Sequence, residues 1–92
     1  MGSFMGGSAP AMARQITEGY TLVTAVTLKR LTNPQLQTLE FELDKKLRDL
    51  RGESVDLNDQ PAIQTRNRRI SRIDGALRVI RGTMQTRKRK GV

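Results

Sequence analysis

The sequence predicts an all-α fold: an antiparallel, coiled-coil-like two-helix hairpin, with a flexible or partly extended N-terminal segment and a disordered basic C-terminal tail. Three observations predict it. Leu36, Leu39, Leu43, Leu47 and Leu50 recur at three- and four-residue steps, one apolar stripe of a helix. Ile70, Ile73, Leu77 and Ile80 follow at steps of three, four and three, the seam of a helix that pairs with another. Between them GESVDLND, residues 52–59, is turn-rich and short enough to fold one helix back on the other.

Taken in order, residues 1–18 open on the Gly-rich MGSFMGGSAP and read as a disordered leader, with too little apolar length for a signal peptide. Residues 20–28, YTLVTAVTL, have the Thr/Val content of a strand but no second strand to pair with. They are either a strand completed by a partner or a helical or irregular extension. The leucine helix is expected over 34–51, with Asn33 as N-cap, Pro34 at its first position and Gly52 as its stop. The second helix opens near Gln60 with Pro61 in its first turn. Ile63 extends its stripe backwards, Arg66 occupies a seam position, and Gly75 weakens the helix interior by about 1 kcal/mol relative to Ala. Gly82 is its natural stop, so the hairpin domain spans 19–82 and residues 83–92 form the tail.

Composition narrows the function. The 92 residues make at most one domain and include no His, Cys or Trp. Metal sites built on nitrogen and sulfur lose their preferred ligands, and catalysis by His or Cys loses its groups. No pair of carboxylates is placed near a plausible pocket, so no enzyme, cofactor or small-molecule substrate is expected. The lack of Cys fits a reducing compartment and a cytoplasmic location. No apolar run approaches the ~18 residues of a membrane span.

Charge supplies the positive signal. Lys and Arg number 17 against 9 Asp and Glu, for a net +8. Residues 1–30 carry three basic and one acidic side chain, residues 31–60 four and seven, and residues 61–92 ten and one, which is +2, −3 and +9. A +9 block points to a polyanion. Its candidate nucleic-acid contacts are Arg66, Arg68, Arg69, Arg72, Arg78 and Arg81 on the second helix and Arg87, Lys88, Arg89 and Lys90 in the tail. Pairs three or four apart share a side of the helix, and with the Ile/Leu seam turned inward Arg68, Arg69 and Arg72 are expected to face outward. Arginine's planar fork grips phosphate bidentately. The second helix and the tail hold no aromatic residue for base stacking, which favours phosphate and shape contacts on folded or duplex nucleic acid. The competing reading is a solvated arginine face, partly paired with Glu40, Glu42, Asp44 and Asp49 of the first helix.

The two helices resemble the large-subunit ribosomal protein family twenty-nine. Leu31, Thr32, Leu36, Leu43, Leu47, Leu50 and Arg51 fall on the steps of that family's first helix. Leu57, Ile63, Arg68, Ile70, Arg72, Ile73 and Leu77 fall on those of its second. The likeness covers residues 31–81, while Asp74-Gly75 stands where the family typically has Lys-Thr. It implies a basic helical hairpin lying on ribosomal RNA, with Arg68 and Arg72 as RNA contacts. RNA is therefore the expected partner ahead of DNA. Two other readings stay open: a dimeric DNA-binding protein of ribbon-helix-helix type, with 20–28 as its strand, and an adaptor whose seam pairs with a partner helix.

Overall fold

The computed structural model describes Phe4 and residues 7–89. Four helices account for most of them: α1 (Ala9–Thr17), α2 (Ala25–Leu28), α3 (Asn33–Arg51) and α4 (Gln60–Arg89). No strand occurs among the described residues.

α1 corrects the expectation of a disordered leader. Ser8 caps it, accepting from the Ala11 N–H at 3.2 Å, and Pro10 sits in its first turn. Ala9, Met12, Ala13, Ile16 and Thr17 are buried, the i, i+3, i+4, i+7, i+8 pattern of one helical face. The Thr17 hydroxyl, enclosed with them, donates to the Ala13 carbonyl at 2.7 Å. The helix ends in a Schellman motif, with Tyr20 N–H bonded to the Gln15 carbonyl and Gly19 N–H to that of Ile16. Gly19 takes φ +84, the left-handed turn this motif requires.

Residues 20–28 resolve into an irregular segment and one turn of helix. Thr24 and Thr27 form a reciprocal capping box that starts α2.

α3 lies within a residue of its expected bounds, but its N-cap is Thr32 rather than Asn33. Thr32 Oγ1 accepts from Gln35 N–H, and Gln35 Oε1 accepts from Thr32 N–H at 2.8 Å. Pro34 still falls in the first turn. Gly52 does end the helix, with φ −85 and hence without the left-handed turn of a glycine stop.

α4 starts where expected, its Ala62 N–H bonded to the Asp59 carboxylate. It does not stop at Gly82, and residues 83–89, expected as disordered tail, are its last two turns. The seam explains the extension. Ile73, Leu77 and Ile80 are buried, Met84 packs against the core, and Arg87 follows three residues on. A helix with docking partners on both sides of one glycine gains more by continuing than the roughly 1 kcal/mol that Gly costs.

α4 packs antiparallel on α3, α1 lies against both, and α2 rests on α4. The hairpin expected from the sequence is thus the central pair of a four-helix unit. The leucines of α3 meet Ile73, Ala76, Leu77 and Ile80 of α4, with Met12, Ala13 and Ile16 of α1 and Leu28 of α2 closing the core. The molecule measures 50 × 25 × 18 Å, and α4 at ~1.5 Å per residue runs nearly its whole length.

Candidate nucleic-acid interface

Packing α1 and α2 against α4 changes what its arginines face. Arg66 does not pair with the acidic side of α3. Its Nε donates to the Leu50 carbonyl at 2.8 Å and Nη2 to that of Arg51 at 3.4 Å. Both carbonyls belong to the last turn of α3, where intrahelical donors run out, and the Leu50 carbonyl also accepts from the Glu53 N–H at 3.3 Å. Arg72 is exposed, in keeping with its expected outward side, and also donates from Nη1 to the Thr17 carbonyl at the end of α1. Arg69, expected outward too, pairs with Glu18 at 3.3 Å. Arg87 lies not in a disordered tail but in the last turn of α4, where Nη2 reaches the Leu28 carbonyl at 3.0 Å. Its Nη1 reaches the Leu31 carbonyl at 2.8 Å and Asn33 Oδ1 at 2.9 Å. One guanidinium thereby joins the end of α2 to the start of α3. Three arginines of α4 thus close the ends of the other three helices.

Arg81 bonds Glu40 at 2.8 Å and lies 3.6 Å from Asp44. The Glu40 hydrogen bond raises its pKa above the ordinary arginine value, opposed by burial and supported by the charges of Glu40, Asp44 and Asp74. Of the acidic face of α3, Glu40 and Asp44 are paired in this way, while Glu42 and Asp49 form no ion pair among the described residues.

Arg68, Arg78, Lys88 and Arg89 remain exposed, with no hydrogen-bond or ion-pair partner among the described residues. Lys90 lies outside those residues. Lys88 and Arg89 also sit in the last turn of α4, where cations favourably meet the negative end of the helix dipole.

Two cations outside the sequence-predicted set join this group. The Arg87 hydrogen bonds draw the turn after α2 onto the end of α4, so exposed Lys29 and Arg30 share one end of the molecule with Lys88 and Arg89. The signal was the Lys-Arg dipeptide itself, inconspicuous inside an extension of unknown course. Residues 19–39 and 75–89 contain seven Lys or Arg and no Asp or Glu. The opposite end, around 49–59, carries Asp49, Glu53, Asp56 and Asp59 together with Arg51, Arg66 and Arg69. Acid and base therefore mix at that end, whereas the charged side chains of the described residues at the other end are basic alone.

No helix among the described residues is long and apolar enough to cross a membrane. Comparison with protein-family models, curated proteins and solved structures finds no match.

Proposed function

We propose that this chain is a non-enzymatic RNA-binding protein, a structural component of a ribonucleoprotein that docks its cationic end on the phosphate backbone of a folded RNA. The observation that carries the reading is the gathering of Lys29, Arg30, Lys88 and Arg89 at one end, exposed and without an ion-pair partner among the described residues. Four cations without counter-ions on one short surface are an electrostatic footprint for a polyanion. Arg68 and Arg78, also unpaired, extend it along α4. α4 contains no aromatic residue, which favours phosphate over base contacts. The ribosomal-family resemblance supports RNA over DNA, although Arg72, one of the two contacts it implies, already serves the end of α1.

Binding to a folded RNA hairpin, followed by fluorescence anisotropy, tests the reading. With four phosphate contacts, raising salt from about 50 to about 200 mM should weaken binding roughly 50- to 150-fold. Affinity that stays level across that range overturns the proposal. So does an equal affinity after all four cations are replaced by Ala.

A further inference from the structure

A second surface lies along α4, beside the segment that joins α1 to α2. Its floor is Gly75, Ala76 and Val79, and its wall is Leu22 and Val23 of the irregular segment, which together bound a cleft of about 440 Å³. A second cleft of about 480 Å³ shares Val79 and continues past Gly82 and Thr86 beside Ala25 of α2. The two form one trough from Ser71 to Thr86, ~22 Å long at the helical rise of ~1.5 Å per residue. Leu22 of the wall is 80% exposed, and Tyr20 and Val26, which adjoin the lining segments in sequence without lining either cleft, are 83% and 70% exposed. A large apolar side chain left in water at a cleft wall marks a contact surface.

No described residue packs over the glycines of this side of α4. A Cβ at Gly75 or Gly82 would meet no atom within 4 Å, and neither residue has the positive φ that favours glycine. Both weaken α4 relative to alanine, yet they hold the trough open.

Charge selects the occupant. Arg72, Lys29 and Arg87 line the trough, none has a carboxylate partner among the described residues, and no Asp or Glu lines either half. A second copy of this chain would bring its own net charge of +8 against that lining. A nucleic acid leaves Leu22 and Val26 in water, and a flat bilayer does not enter a concave trough. We propose that the trough seats an acidic amphipathic helix of a partner protein, its apolar stripe on Gly75, Val79 and Leu22 and its carboxylates toward Lys29 and Arg72.

The test uses the full chain and three fluorescein-labelled synthetic helices of about four turns. One carries a leucine stripe with glutamate elsewhere, one has lysine in place of each glutamate, and one scrambles the acidic sequence so that the stripe is lost. Saturable binding is expected for the acidic striped helix alone. The double substitution Leu22→Ser with Val26→Ser should weaken it about tenfold or more. Both side chains are solvent-exposed, so an unchanged helical circular dichroism spectrum and melting curve should accompany the loss. Gly75→Leu, which fills the floor without touching the wall, should block binding as well. RNA affinity should be retained in both variants. Equal binding of the scrambled or lysine helix overturns the proposal, as does a Kd above about 100 μM for the acidic one. Light scattering that shows a dimer abolished by Gly75→Leu assigns the trough to a second copy instead. Binding of phosphatidylserine vesicles that is lost with Leu22→Ser and Val26→Ser assigns it to a membrane.

Discussion

Arg66 and Arg68 sit two positions apart on one helix, and the difference between them is what stands opposite. Arg66 holds two carbonyls at the end of α3, whereas Arg68 meets solvent. Removing a charged donor from a partly buried carbonyl typically costs ~1.5–3 kcal/mol. Arg66→Ala and Arg87→Ala should each destabilise the fold by about that amount in urea unfolding, while Arg68→Ala and Arg78→Ala should stay within ~0.5 kcal/mol. The glycines divide in the same way. A Cβ on Gly19 would lie 2.9 Å from the Arg72 guanidinium carbon, at a φ that L residues rarely adopt. Gly19→Ala should therefore destabilise by more than about 1 kcal/mol, and Gly75→Ala and Gly82→Ala should each stabilise by about 0.4–1 kcal/mol. Thermal melts of the three single variants check both signs. A cation spaced three or four residues from another was legible in the sequence as sharing a face. Whether that face meets water or the end of a neighbouring helix was not, because the neighbours α1 and α2 come from a segment with the composition of a leader and an extension.

At the scale of elements, legibility followed side-chain size. The five leucines of α3 announced their helix almost to the residue, and Ile73, Leu77 and Ile80 announced the facing stripe. α1 was written in the same periodicity, but two of its buried positions are Ala9 and Ala13, and small residues after a Gly-rich start do not stand out as a stripe. Its Ser8 cap ahead of Pro10 was the one local mark of a helix start. Gly82 misled for a different reason: a glycine that stops a helix and one that a helix runs through are the same letter, and the φ that separates them is set by what the flanking turns dock against. The end of α4 is consequently structural. A chain cut after Gly82 lacks the packing of Met84 and the Arg87 hydrogen bonds to the carbonyls of Leu28 and Leu31. It should be less stable by about 2–3 kcal/mol, lowering Tm by roughly 8–24 °C for a domain of this size. An unchanged melting curve by circular dichroism would show that residues 83–92 are the appendage their composition suggests.

The whole molecule separates two charges that the sequence distributes differently. Along the chain, acid lies in the middle third and base at the end. In space, the hairpin turn carries four of the acidic residues to one end of the long axis, and carboxylates or helix-end carbonyls occupy four of the six central guanidinium groups, Arg66, Arg69, Arg72 and Arg81. At the far end, cations about 60 residues apart in sequence share one surface with no acidic residue among the described residues 19–39 and 75–89. That is why the +9 of residues 61–92 leads, under the proposed RNA-binding role, to only part of the set their spacing suggests, Arg68, Arg78, Lys88 and Arg89, joined by Lys29 and Arg30. Replacing Lys29 and Arg30 together should flatten the salt dependence of RNA binding as much as replacing Lys88 and Arg89, by about 0.7–0.9 in log–log slope for each phosphate no longer neutralised. A slope that responds to the α4 pair alone would place the RNA on the helix end without the turn after α2.

The closure of α1, α2 and α3 by arginines of α4 also bears on the order in which the chain is made. A nascent chain that has reached residue 60 has all three helices in outline, but none of the guanidinium groups that close them. Its leucine stripe has no facing isoleucines. Until the thirty residues of α4 emerge, the exposed stripe is available to chaperones and to other nascent chains, and the native structure forms only after nearly the whole sequence is out.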